Sequence, residues 1–108
     1  MSASGSVLVV NRRSFQVLPH GAITIMRPTI WGNPFHVSST CSRDEAIAKY
    51  RRWLRLEYAK KGVIYQQLHI LARRYKNGET ITLVCCCKPL PCHGDVIALA
   101  IRAIAQRL

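Results

Sequence analysis

The sequence predicts a small single-domain α/β protein, a short, mainly parallel or mixed sheet of about three to four strands with about three helices. Three observations carry that expectation. A chain of 108 residues is close to the usual size of one domain. Hydrophobic residues make up 49% of it, enough for a real core. The hydrophobic pattern also changes period along the chain, from short continuous apolar runs to longer helical stripes and back.

Each element has its own signal. Residues 1–6 are small and polar and read as a flexible terminus, leaving 7–108 as the domain. Val7-Leu8-Val9-Val10 is an unbroken apolar run bounded by Asn11-Arg12-Arg13-Ser14, a buried strand whose polar end lies where α/β folds hold ligands. Pro19-His20-Gly21 makes a turn, residues 22–26 a second strand, and Arg27-Pro28 ends it. Trp31-Gly32-Asn33-Pro34-Phe35 is a compact turn restricted by Gly and by the residue before Pro. Ser42-Arg43-Asp44-Glu45 is a capping box that opens a helix to about residue 59, with Ile47, Tyr50, Leu54 and Tyr58 on one stripe. A second helix, about 63–76, carries Ile64, Leu68, Leu71 and Tyr75 on its stripe and stops at Asn77-Gly78. Residues 80–87 form a third strand. The last helix, about 94–108, is apolar on nearly every face before Arg102, as a buried or sheet-covering helix would be. The runs 7–10 and 83–87 are the most continuously apolar, so these strands are expected as interior neighbours buried on both faces.

Charge narrows the class of partner. Sixteen Lys and Arg oppose five Asp and Glu, for a net charge of +11, which points to phosphate in some form: nucleotide, nucleic acid or an acidic protein surface. Residues 43–76 hold ten basic and three acidic side chains. Arg51 and Arg55 are one helical turn apart with Arg52 beside them, a polyanion-binding face or simply a solvated one. No helix-turn-helix, zinc-finger or RNA-binding-sheet signature accompanies them, so phosphate contact is expected rather than sequence readout. Five cysteines, three of them consecutive, do not make a disulfide framework, which places the chain in a reducing cytoplasm. Residues 7–10 are too few for a signal peptide, and residues 96–105 are too few to span a membrane and include Arg102. No membrane partner is expected.

The segment Cys85-Cys86-Cys87-Lys88-Pro89-Leu90-Pro91-Cys92-His93-Gly94-Asp95 is the most informative. It runs from strand to loop to helix N-terminus, where free amides and the helix dipole favour anions and thiolates. Three readings compete. Cys85, Cys87, Cys92 and His93 could ligate a metal, although no metal is favoured because the paired C-x2-C knuckles of common sites are missing. Cys92 and His93 could be a catalytic or anchoring pair, with Asp95 orienting His93 or sitting on the dipole. Or the cysteines pack the strand and the helix is merely capped, since free Cys is among the most buried residue types.

Val9-Val10-Asn11, Arg27-Pro28, Trp31-Gly32-Asn33-Pro34-Phe35, Glu45-Ala46-Ile47 with Tyr50, and the run from Cys85 to Asp95 together resemble the bacterial and phage family catalogued as domain of unknown function 4326. The resemblance extends from Val7 to the last helix. The chain departs from it at Cys86, where the family often carries an aromatic residue. The resemblance implies no particular reaction. It does imply that Asn11, Arg27, Asn33, Cys85, Cys87, Cys92, His93 and Asp95 share a pocket built at strand ends and turns.

These readings combine into a nucleotide- or nucleic-acid-directed α/β domain. Arg27 and Arg12 are expected to hold phosphate, Asn11 and Asn33 to hydrogen-bond a base or sugar, and Cys92, His93 and Asp95 to form the reactive or anchoring group. One alternative is a small basic interaction protein of phage origin that binds nucleic acid or a nucleic-acid machine. The other is a Cys/His metal-binding domain. A functional His93 at an exposed cap is further expected to tolerate replacement by Ala with little loss of stability.

Overall fold

β3 (Thr80–Cys85) lies at the centre of a three-stranded parallel sheet, between β1 (Ser6–Asn11) and β2 (Ile23–Thr24). Among the described residues, three helices accompany it: α1 (Arg43–Ala59), α2 (Val63–Lys76) and α3 (His93–Ala105). A short 3-10 turn, Arg12–Ser14, follows β1. The structure, a computed structural model, describes residues 4–108. The expected α/β class, strand number and helix number are those observed.

Register explains which side chains enter the core. β1 pairs with β3 from Ser6↔Thr80 to Asn11↔Cys85, so Val7 and Val9 share a face with Ile81 and Leu83. Val7, Ile81, Leu83 and Cys85 join Tyr50, Leu54, Leu68, Leu71, Ile97 and Ile101 in one hydrophobic cluster, so the helices cover this face. On the other face Val84 is buried, but Leu8 is 47% exposed. The expectation of two interior strands therefore holds for β3 only. β2 pairs with the far side of β3, which leaves β1 a neighbour of β3 but also the sheet edge.

Strand ends also differ from the sequence pattern. The ladder stops at Cys85, because β1 ends at Asn11 and the chain turns, with Leu90 N–H donating to Cys87 O at 2.9 Å. β2 is short, although Ile25 N–H still donates to Val84 O at 3.0 Å. Of the terminal segment expected to be flexible, residues 1–3 lie outside the described residues. Gly5 N–H donates to Tyr75 O at 2.7 Å, and Ser6 already belongs to β1.

The helices begin and end for local reasons. Ser42 Oγ accepts from Glu45 N–H at 3.1 Å and caps α1. Gly78, at φ 93°, takes the left-handed step after α2 that a side chain would resist. Tyr50 and Leu54 are buried on α1 as expected, while Ile47 and Tyr58 pack only partly and Ala46 takes the remaining buried position. On α2, Ala72 rather than Tyr75 completes the buried stripe. α3 is buried along most of its length, yet Leu99 is 55% exposed. Among the described residues, no helix is long and apolar enough to cross a membrane.

Candidate functional site

The carboxyl ends of β2 and β3 open into a cavity of about 250 Å³. Met26 and Arg27 reach it from the end of β2, and Cys86 and Cys87 from the turn after β3. Cys92 and His93 enter from the start of α3, and Arg43, Ala46 and Ile47 from the start of α1. Asn33, Phe35, His36 and Val37 close it from the loop between β2 and α1. Such a crevice at strand ends is where parallel α/β sheets bind ligands.

The loop holds its shape through short-range bonds. Asn33 Oδ1 accepts from Phe35 N–H at 2.8 Å, and Asn33 Nδ2 donates to Ala46 O at 3.3 Å, tying the turn to α1. At Gly32 a Cβ would fall 2.8 Å from Arg27 Cγ, so only Gly lets the loop close on Arg27. Arg27 Nη1 donates to Asn33 O at 3.0 Å and meets the His36 ring 2.9 Å from Nδ1. The guanidinium is thereby aimed along the cavity wall by the same turn that Asn33 builds.

His93 is buried, 8% exposed, with its ring edge against Tyr50 at 4.9 Å between centroids. Its Nε2–H donates to Ile25 O at 2.7 Å. A carbonyl can only accept, so in the neutral ring the lone pair is left on Nδ1. Burial holds the His93 pKa below its usual value; the bond to Ile25 opposes this, and the nearby Arg27 charge adds to it. The ring is therefore neutral near pH 7 and can accept a hydrogen bond or a proton at Nδ1.

Cys92 caps α3. Its Sγ accepts from Gly94 N–H at 3.3 Å, while Asp95 Oδ2 accepts from Cys92 N–H at 3.2 Å, a capping box with Cys in the cap position. Burial pushes the Cys92 thiol up to about 12, against the pull of the Gly94 amide, and the neighbouring Cys85 adds to the rise. The sequence leads one to expect a thiolate favoured by the helix terminus. Desolvation outweighs the dipole, and Cys92 stays a protonated thiol.

The remaining predicted residues lie elsewhere. Asp95 makes no hydrogen bond to His93 and sits instead in the first turn of α3, as part of the capping box. Its Oδ1 accepts from Lys88 Nζ at 2.6 Å, beside a separate hollow with Val7, Val9 and Arg102. Asn11 is structural in this arrangement: Nδ2 donates to Lys88 O at 2.6 Å, and Oδ1 accepts from Arg13 N–H at 2.8 Å. Arg12 is exposed and bonds Phe15 O at 3.2 Å. Of the four conceivable metal ligands, Cys85 lies in the core, Cys87, Cys92 and His93 at the cavity. The described residues include no group of three or more His, Cys, Asp or Glu placed to hold a metal ion. Arg51 and Arg55 stand over another groove, and Arg52 is exposed outside it. Thus Arg27, Asn33, Cys92 and His93 come together, while Asn11, Arg12 and Asp95 do not.

Arg43, Phe35 and His36 are among the cavity residues that escape a reading of the sequence. Arg43 is hidden in the basic run, although its place directly after the Ser42 cap signals a helix N-terminus. Phe35 and His36 directly follow the Gly32-Asn33-Pro34 turn, and that adjacency is their only signal.

A family model described as Domain of unknown function (DUF4326) matches residues 9–103. The chain is also similar to an uncharacterized 12.4 kDa protein in the nrdA-td intergenic region of Enterobacteria phage T4. The two are 36% identical over 86 residues, a match covering 70% of this chain and 63% of the phage protein. The match thus spans somewhat under two thirds of that relative. No solved structure matches the chain.

Proposed function

Since the chain belongs to the family named Domain of unknown function (DUF4326), its chemistry has to be read from its own cavity, and we propose that this cavity binds a single nucleotide, free or at the end of a strand. One observation carries the reading. Arg27 and Arg43 line the same space as neutral His93 and the Asn33 turn, with no Asp or Glu among the lining residues described. Two guanidiniums without a carboxylate favour an anion, and planar guanidiniums suit phosphate oxygens in particular. Met26, Phe35 and Ile47 offer the apolar wall that a base or sugar needs. The volume, about 250 Å³, lies just below the roughly 300–1,000 Å³ usual for ligand cavities, which favours a ligand no larger than a mononucleotide.

Within this reading each residue has a part. Arg27 and Arg43 hold phosphate. Asn33 shapes the loop rather than spending its amide on the ligand. His93 Nδ1 accepts a hydrogen bond from a ligand hydroxyl or a water, and in a catalysed reaction it would be the general base. Cys92, protonated and buried, supports the helix start and is not the nucleophile. A reducing cytoplasm belongs to the same reading, since all five cysteines are free.

The test is thermal stabilisation by nucleoside 5′-monophosphates, unphosphorylated nucleosides and ribose 5-phosphate. A ligand at a hundred times its Kd stabilises by about 2.7 kcal/mol, which is on the order of 10 °C for a domain this small. Nucleotides are expected to raise Tm, nucleosides much less, and Arg27→Ala and Arg43→Ala to abolish the difference. Equal stabilisation by nucleosides would mean that phosphate is not what the cavity recognises.

A further inference from the structure

A larger groove, about 440 Å³, runs between α1 and α3 above Leu68 of α2. Leu54, Val96, Leu99 and Ala103 make its surface aliphatic, and Leu99 leaves more than half of itself in water on a helix otherwise mostly buried. Arg51, Arg55 and Arg107 stand on its rim. None of the three enters an ion pair among the described residues, whose ion pairs are Lys60–Glu57, Arg74–Glu79 and Lys88–Asp95. Exposed apolar surface and unspent positive charge therefore meet at one place, the combination that marks an interaction surface.

We infer that this groove docks an acidic amphipathic helix of a partner protein. Its dimensions suit one. The α3 wall runs from Val96 to Ile104 and on to Arg107, and the α1 wall from Arg51 to Tyr58. At a rise of 1.5 Å per residue the longer wall extends roughly 12–16 Å, room for two to three turns of a helix presenting anchors at i, i+4 and i+7. The floor selects aliphatic or aromatic anchors. Nucleobases prefer aromatic platforms, and Tyr58 is the one aromatic residue lining the groove. The concave shape fits a helix better than the flat surface of a bilayer, which is approached by a convex amphipathic face.

Charge excludes the simplest self-assembly. The chain has five acidic residues, and Glu57, Glu79 and Asp95 are already paired. Only Asp44 and Glu45 could meet the rim of a second copy, whereas a symmetric contact would set Arg51, Arg55 and Arg107 against their own kind. Beyond Asp44 and Glu45, the rim needs carboxylates that this chain does not supply. The site is independent of the nucleotide cavity and shares no lining residue with it.

Fluorescence anisotropy with a labelled synthetic peptide tests the inference. The probe is a helix-forming peptide of about 14 residues with Leu at i, i+4 and i+7 and Glu between them. Controls are a scrambled peptide of the same composition, single-stranded DNA of similar length and phosphatidylserine-containing vesicles. The patterned peptide is expected to bind at least about tenfold more tightly than the scrambled one. Leu99→Glu and, separately, Arg55→Glu should each remove that preference; both positions are exposed, so the fold survives. Arg27→Ala, which disables the other cavity, should leave it unchanged, so the two proposals fail separately. Equal binding of the scrambled peptide, a preference for DNA or vesicles, or indifference to Leu99→Glu overturns the inference, as does no binding.

Discussion

Replacing His93 by Ala is expected to cost the fold about 2–4 kcal/mol, not the small amount an exposed cap would cost. The sum is assembled from its contacts. Loss of the imidazole strands the Ile25 carbonyl, which His93 Nε2–H meets at 2.7 Å; a buried acceptor left unpaired costs about 1–3 kcal/mol. The edge contact with Tyr50 at 4.9 Å adds about 0.5–1.5 kcal/mol. For a domain of this size the Tm should fall by roughly 10–20 °C. His93→Gln separates structure from function, since its amide N–H reaches a similar point and can still donate to Ile25 O, but it offers no titratable nitrogen. The Gln variant should recover most of the lost stability in urea or thermal melts while remaining defective in ligand binding. If His93→Ala melts like the native protein, the Ile25 bond and the burial argued for this ring are wrong. If His93→Gln binds nucleotide normally, His93 only supports the loop.

Other expectations follow from the same geometry. The folded pKa of His93 is lowered, so the fold is favoured most above the ordinary His value of about 6.5, and that contribution is lost as pH falls through it toward the lower folded value. Melting temperature should therefore drop between pH 7.5 and pH 5, and His93→Gln should drop less; equal slopes would remove His93 as the titrating group. Gly94→Ala would place a Cβ 2.7 Å from Val9 Cγ1 and 2.8 Å from Ile25 Cδ1. Overpacking of about 1–3 kcal/mol should outweigh the gain in helix propensity of at most about 1 kcal/mol, so urea unfolding should show net destabilisation, and an unchanged midpoint would contradict the close helix–sheet contact. Alkylation of the native protein at neutral pH should modify Cys41, Cys86 and Cys87 and spare buried Cys85 and Cys92, with all five reacting after unfolding. Rapid native labelling of Cys92 would contradict its raised pKa.

Much of the fold is legible because its signals are local. The Ser42 cap, the Asn77-Gly78 stop and the 3.6-residue stripes place α1 and α2 to the residue or nearly so. Strand order and helix placement are not local. The run of residues 7–10 looks like an interior strand, but β2 pairs with the far side of β3, which leaves β1 at the sheet edge. Leu8 lies on the face opposite the helix-packed cluster, 47% exposed. The site divides in the same way. Cys92 and His93 are readable as the start of a helix after a strand, and Arg27 and Asn33 as the flanks of a constrained turn. What a sequence hides is where each side chain spends its hydrogen bonds. Asn11 turns away to hold Lys88 O, Asp95 binds Lys88 and the Cys92 amide, and the depth of Cys92 reverses the effect expected of the helix dipole.

An ¹H–¹⁵N NMR titration of the native protein with a nucleoside 5′-monophosphate tests the central claim most directly, because it reports affinity and location together. The cavity reading predicts saturable shifts confined to amides of Arg27, Phe35, His36, Arg43, Cys87 and His93, much smaller with the matching nucleoside and absent in Arg27→Ala. Shifts confined to the Arg51, Arg55 and Arg107 face, or shifts of equal size with the nucleoside, would contradict it.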